Sequence, residues 1–288
     1  MSGKDEKRKA PGHDLVLIHG LQNMHRWGRA FLQTLADIWG SGKVYVLYTN
    51  PSNRIWTRQY SGKTITFIGK NSYTAGRASV EIQAARVAEK VRILQETYGL
   101  GKNFHVIAHS MGGLITRKFI YDHPGTVVNV VTLGTPHHGS PLAHTFRWLG
   151  VLAGSSQAFA NLTPEWVAEF NRQYPAVGAP LCPGGKFYTL RGFATGSLKH
   201  RGVFGEVWFG WHTLRALHRQ TASDGLVPAD SALIEDAIHL ADFDDCDHLG
   251  LTTRADVAKT CAACLLGDQA VIDGDIDDVS ENGHMRLS

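Results

Sequence analysis

Phe104-His105-Val106-Ile107-Ala108-His109-Ser110-Met111-Gly112-Gly113-Leu114-Ile115-Thr116-Arg117-Lys118-Phe119 is the stretch on which the fold of this chain turns. An apolar, strand-like run leads into Ala108, a tight turn carries Ser110 at its apex, and a helix-forming run follows from Leu114. A serine on so sharp a strand-to-helix turn projects its hydroxyl out of the sheet. The backbone N–H groups after it stand at a helix N-terminus, where negative charge is welcome. Ala108 occupies the place of the first glycine in the usual elbow pattern and is small enough for the crossing. The bland alternative is an ordinary turn whose serine caps the helix, and the rest of the chain decides between the two.

Upstream, Asp14-Leu15-Val16-Leu17-Ile18 ends at His19-Gly20-Leu21, and Lys43 to Tyr48 is a second aliphatic run. Both read as buried parallel strands. Between them Trp27 to Trp39 sets Phe31, Leu32, Leu35 and Ile38 on one side, as a crossover helix would. A longer helix is expected over 78–98, with Val80, Ala84, Val87, Val91 and Leu94 at the helical period and Gly99 with Gly101 as the stop. Downstream, Asp122-His123-Pro124-Gly125 breaks the elbow helix, Thr126 to Leu133 gives another strand, and Lys186 to Leu190 and Ala237 to Leu240 give two more. This alternation predicts one α/β domain built on a mainly parallel sheet with helices on both faces.

Two stretches interrupt the pattern. Residues 140–185, with Trp148, Leu149, Leu152, Phe159, Trp166 and Phe170, and residues 195–220, with Phe204, Trp208, Phe209 and Trp211, are expected to form a helical cap or lid. Residues 1–12 are a charged run and residues 268–288 an acidic tail poor in aromatics, so both are expected to be disordered, leaving 13–267 as the domain. Asp273, Asp275, Asp277 and Asp278 in the tail lack the glycine and terminal glutamate of a calcium loop. No internal repeat is visible.

The 288 residues, 43% of them hydrophobic, suffice for a large core. A net charge of +3 from 29 basic and 26 acidic residues, with no basic stripe among aromatics, argues against a nucleic-acid partner. No run is long and apolar enough for a transmembrane segment, and the first residues lack the apolar core of a secretory signal. A complete chain would therefore be cytoplasmic, and a secreted one would have lost its leader. Oligomeric state is not readable. Cys182, Cys246, Cys261 and Cys264 allow two bridges or none, and Cys261 and Cys264, a helical turn apart in an apolar segment, read as buried thiols with no second ligand pair for zinc.

Serine needs a base, and the base needs an orienting carboxylate. Among fifteen histidines, the order nucleophile, acid, histidine along such a chain singles out Asp224 in Ser223-Asp224-Gly225-Leu226-Val227-Pro228 and His248 in Asp247-His248-Leu249-Gly250-Leu251. Each lies in a turn after an expected strand. His239 is the rival base, set inside a strand-like run, and Asp230 and Asp236 are rival acids in less suitable surroundings. Two backbone N–H groups should receive the oxyanion of the tetrahedral intermediate, and Leu21 and Met111 are the candidates.

With these motifs in place, the chain resembles bacterial lipases and esterases of the α/β-hydrolase fold over roughly Asp14 to Leu251. The resemblance rests on His19-Gly20-Leu21, Ala108 to Gly113, Thr132-Leu133-Gly134-Thr135-Pro136-His137-His138-Gly139-Ser140, Asp224 to Pro228, and Asp247-His248-Leu249. It implies the triad Ser110, Asp224 and His248, oxyanion donors at Leu21 and Met111, and cleavage of carboxylic esters through an acyl-enzyme. His137 and His138 read as structural. Asp242, Asp244, Asp245 and Asp247 crowd the place where some relatives hold calcium, but the acidic ligand expected just after the histidine is absent, so no cofactor is expected. The aromatic cap suits a lipid-like or short acyl ester, polyesters included. A thioesterase, phospholipase or acyltransferase would use the same triad, and a binding relative would have no need of it.

Overall fold

The computed structural model describes residues 12–21, 27–72, 75–145, 154–200, 202, 205–220 and 222–267. Residues 1–11 and 268–288 of the expected disordered ends, with Trp148, Leu149, Leu152 and Phe204, lie outside these residues. Among the described residues the chain runs β1 (Asp14–Ile18), α1 (Arg29–Trp39), β2 (Val44–Leu47), β3 (Ile55–Tyr60), β4 (Lys63–Ile68), α2 (Val80–Thr97), β5 (Phe104–His109), α3 (Gly112–Asp122) and β6 (Val127–Leu133). It continues through α4 (Leu142–Thr145), α5 (Ser156–Ala160), α6 (Pro164–Gln173), β7 (Phe187–Gly192), α7 (Glu206–Leu217), β8 (Ile238–Phe243) and α8 (Ala255–Leu266).

The strands form one eight-stranded sheet in the order β3-β4-β2-β1-β5-β6-β7-β8. Every pairing is parallel except that of β3 with β4. Burial on both faces explains the unbroken apolar character of β1: Leu15 and Leu17 join the core under α1 and α8, whereas Val16 and Ile18 join the core under α2 and α3. The expected α2 positions Val80, Ala84, Val87, Val91 and Leu94 are all buried, and the Ser79 hydroxyl caps the helix by accepting from the Ile82 N–H. Phe31, Leu32 and Leu35 of α1 are buried, with Ile38 half-buried beside them.

The antiparallel β3–β4 hairpin was not anticipated from the sequence. Ser61 and Gly62 make its two-residue turn, both left-handed with φ of 48° and 77°. The hairpin extends the sheet beyond β2 and stacks Trp56 on Phe67 with ring centroids 4.1 Å apart. The last strand runs to Phe243, three residues past the expected end, because its pairing with β7 continues across a register shift as far as Gly192.

Among the described residues of the 140–185 region, α4, α5 and α6 are short helices. Arg117 of α3 ties α6 to the sheet: its buried guanidinium donates from Nη2 to Asn171 Oδ1 at 2.6 Å and lies over the Phe170 ring, 4.8 Å from the centroid. In the second stretch, α7 is anchored by Trp211, whose indole N–H donates to the Ala194 carbonyl at 2.9 Å. No helix among the described residues is long and apolar enough to cross a membrane.

Candidate active site

Parallel strands all point their C-terminal ends to one edge of the sheet, and loops leaving that edge converge. His19 and Gly20 leave β1, Ser110 leaves β5, Gly134 and Thr135 leave β6, and Asp247 and His248 follow β8. Asp224 comes back to the same edge after the α7 excursion, in a segment whose Ser223 carbonyl accepts from the Ala194 N–H just beyond β7, at 2.9 Å.

Ser110 adopts the left-handed backbone conformation, φ 56°, which costs a non-glycine residue on the order of 1–2 kcal/mol. Neighbouring bonds hold it there. Its N–H donates to the Leu133 carbonyl at 2.9 Å, and its carbonyl accepts from the Gly113 N–H at 3.0 Å and from the Thr135 hydroxyl at 2.8 Å. Met111 takes the N-cap position of α3, which starts at Gly112, so the serine does not serve as an ordinary helix cap with extended backbone. With 9% of its surface exposed, Ser110 is the most accessible of the three proposed triad residues, Asp224 and His248 being 2% and 3% exposed.

Asp224 and His248 are bonded directly, His248 Nδ1 to Asp224 Oδ2 at 2.6 Å. The aspartate's other oxygen accepts from the N–H groups of Leu226 at 3.0 Å and Val227 at 2.8 Å, and the His248 N–H donates to the Asp224 carbonyl at 2.8 Å. Asp224 is thus oriented by its own turn, and His248 by its backbone bond to Asp224. The end of β6 passes close by: a Cβ placed on Gly134 would lie 2.7 Å from Asp224 Oδ2 and 3.3 Å from His248 Nδ1. Only glycine fits there.

Ser110 is linked to this pair through its neighbour. His109 Nε2 donates to the His248 carbonyl at 2.8 Å, and the two imidazoles lie 4.5 Å apart. On the opposite side, Gly20 presses against the elbow, where a Cβ would stand 2.6 Å from Ser110 Cβ and 3.0 Å from the Met111 nitrogen. The Gly20-Leu21 turn and Met111 therefore flank the serine together, with the half-buried Leu21 side chain packed on the core under α2 and α3.

The rival residues are otherwise engaged. His239 lies in β8, its Nδ1 beside the Thr189 hydroxyl and its Nε2 on Asp242 at 2.8 Å. Asp230 begins a 3₁₀ turn, and Asp236 sits in a left-handed turn. The buried His137 places Nε2 3.0 Å from the Thr132 hydroxyl, and complete burial lowers its pKa well below the ordinary value. The acidic cluster before His248 is spoken for. Asp242 pairs with Arg191, which holds its carboxyl below the usual range, Asp245 pairs with Lys199, and Asp247 Oδ1 accepts from the Leu249 and Gly250 N–H groups. Among the described residues no group of three or more His, Cys, Asp or Glu is placed to hold a metal ion. All four cysteines are free thiols, Cys246 and Cys261 buried and Cys264 half-buried, and burial pushes Cys246 up to about 12.

His109, Thr135 and the bonding of His19 are parts of the site that sequence reasoning did not assign. Their partners stand 139, 25 and 30 residues away, and no spacing rule reaches that far.

Residues 14–168 match the family model described as palmitoyl protein thioesterase. Among solved structures, a lipase of Bacillus licheniformis in mature form is 22% identical, the alignment covering 92% of this chain and 96% of that one with a TM-score of 0.63. Lipase 1 of Pelosinus fermentans is 11% identical over 89% of this chain and 99% of its own, TM-score 0.60. A metagenomic carboxyl esterase is 17% identical over 90% and 75%, TM-score 0.57. At such identities these likenesses establish the α/β-hydrolase fold and nothing finer. No curated protein sequence is matched.

Proposed function

The chain belongs to the palmitoyl protein thioesterase family, a family of hydrolases, and from that premise we propose that it cleaves acyl esters through a covalent acyl-enzyme, with Ser110 as nucleophile, His248 as base and Asp224 as the orienting acid. The observation that carries this reading is the 2.6 Å Asp224–His248 bond, tied by His109 to the turn that exposes Ser110. In the proposed cycle Ser110 Oγ attacks the acyl carbonyl while His248 Nε2 takes its proton. Asp224 holds the Nδ1 proton in place and favours the imidazolium that forms.

The carbonyl oxygen, now negative, is received by the backbone N–H groups of Leu21 and Met111, each worth on the order of 3 kcal/mol of barrier lowering. Collapse of the tetrahedral species expels the alcohol, which takes the proton from His248. Water then repeats the sequence on the acyl-enzyme and releases the acid. No cofactor enters any step.

The favoured substrate is a carboxylic ester of a lipid-like or short acyl group. Phe209 and Leu217, 54% and 69% exposed on α7, support an apolar acyl partner. An acyl thioester is the second reading, supported by the family match. A thiolate leaves more readily than an alkoxide, so thioester acylation would depend less on a proton from His248.

The test is a stoichiometric burst of nitrophenol from a nitrophenyl ester. It is expected from the wild type and absent from Ser110→Ala. A wild type without a burst or turnover would favour a binding relative. Comparing kcat/KM for nitrophenyl and thioester substrates of equal acyl length then separates the two readings, and added alcohol reports any acyl transfer.

A further inference from the structure

His19 is completely buried at the end of β1, one residue before the turn proposed to supply an oxyanion donor. The protonation of its ring follows from its partners. The Thr49 N–H stands 3.0 Å from Nε2, and a backbone amide can only donate, so Nε2 presents its lone pair. The Thr49 hydroxyl, 3.5 Å from the same nitrogen, has no proton to add there. It donates to Gln83 Oε1 at 2.5 Å and accepts from the Gly76 N–H at 3.1 Å. Gln83 itself is oriented by its amide nitrogen, which donates to the Ala78 carbonyl at 2.7 Å.

With Nε2 accepting, the ring proton resides on Nδ1, and Nδ1 lies 2.5 Å from the Gly20 carbonyl oxygen. The peptide from Gly20 to Leu21 is trans, so its N–H points opposite to its C=O. Drawing the Gly20 oxygen toward His19 therefore points the Leu21 N–H the opposite way, out of the other edge of the peptide unit. That unit lies against the nucleophile, since Gly20 has no room for a Cβ between itself and Ser110.

We propose that His19 is a positioning residue: its Nδ1–H holds the Gly20 carbonyl and thereby aims the Leu21 N–H at the developing oxyanion, with the tautomer set by the Thr49 backbone. This rests on Ser110 being the nucleophile of a serine hydrolase. A donor that is already aimed needs no reorganisation when charge appears, which is the condition for strong transition-state stabilisation.

Two substitutions separate the aiming bond from mere packing. In His19→Asn the amide nitrogen stands near the position of Nδ1 and can still donate to the Gly20 carbonyl, but Thr49 loses its acceptor. In His19→Gln the amide oxygen can reach the Thr49 N–H, but no donor serves Gly20. The proposal expects kcat on a nitrophenyl ester to fall about 100-fold in His19→Gln, with KM within about threefold and affinity for a trifluoromethyl ketone falling in parallel. His19→Asn should stay within about tenfold of wild type.

Equal kcat in all three proteins, a loss confined to KM, or a reversed ranking of the two variants would overturn it. If His19→Gln does not fold, ring ¹⁵N shifts of the histidine-labelled wild type decide, because an Nε2–H tautomer at His19 contradicts the proposal. The serine hydrolase reading is checked separately by fluorophosphonate labelling of the wild type at Ser110. Absence of labelling there would count against that reading, and the ¹⁵N shifts would still report on His19.

Discussion

His109 Nε2 donates across 2.8 Å to the backbone carbonyl of His248, so the residue before the proposed nucleophile clamps the loop that carries the proposed base. A carbonyl only accepts, which places a proton on His109 Nε2. Replacing His109 with leucine leaves a buried carbonyl unsatisfied, at a cost of about 1–3 kcal/mol. It also frees the His248 loop. In His109→Leu, urea unfolding should show that loss, and fluorophosphonate labelling of Ser110 should slow by about tenfold or more. His109→Gln, whose amide nitrogen reaches toward the same carbonyl, should recover most of both. Unchanged labelling in His109→Leu would show that the clamp has no bearing on the nucleophile.

Asp224→Asn is expected to leave the fold intact and cut kcat by about 10³–10⁴. The reason lies in the other oxygen of the carboxylate. Asp224 Oδ1 accepts from the Leu226 and Val227 N–H groups, so in the variant the amide oxygen is drawn to that side and the NH₂ faces His248 Nδ1. His248 must then present a lone pair on Nδ1 and carry its proton on Nε2, where it cannot accept one from Ser110. Steady-state kinetics measure the loss, and an unfolding midpoint near wild type shows that the loss is chemical. A kcat within tenfold of wild type would remove Asp224 from the orienting role.

Much of this was legible in the sequence, and what was not has a physical reason. Leu15 to Ile18 and Phe104 to Ala108 read as central strands because burial on both faces makes every position but His105 apolar, and α2 read as a helix because only one side of it is buried. Ser110 and His248 stood out because each occupies a turn after a strand, and Asp224, which follows α7, because Asp224-Gly225 is a turn pair, and such turns are marked locally by motifs. The β3–β4 hairpin was missed although Ser61-Gly62 is a fair turn signal. Its outer strand, Ile55–Tyr60, carries exposed Thr57, Arg58 and Gln59 and looks like a loop beside the apolar parallel strands. The bonds from His109, Thr135 and His19 were invisible because each joins segments that only the folded sheet brings together.

Thr135→Val should weaken the elbow while keeping its shape. The valine fills nearly the same volume but removes the hydroxyl that donates to the Ser110 carbonyl at 2.8 Å, leaving the 3.0 Å bond from the Gly113 N–H to hold it. A stability loss of about 1 kcal/mol and a kcat about tenfold lower are expected, with Thr135→Ser close to wild type in both. Denaturant titration and turnover of a nitrophenyl ester read the two effects separately. A valine variant with full activity would mean that the backbone bonds alone hold the left-handed serine.

His105 makes the protein sensitive to acid. It is buried in β5 with Nδ1 unpartnered and the His13 ring 5.6 Å away, and burial, aided by His13, lowers its pKa from 6.5 to about 4. The folded state therefore resists the proton that the unfolded chain accepts below pH 6.5. The resulting stability is whole above that value and is lost as pH falls toward 4. Between pH 7.5 and pH 5 the linkage amounts to about 2 kcal/mol from this residue alone. His137, completely buried and shifted in the same direction, adds to the same trend. His105→Leu removes the first contribution, so its urea midpoint should drop less than that of wild type between the two pH values. Parallel pH profiles for the two proteins would show that His105 is not the group responsible.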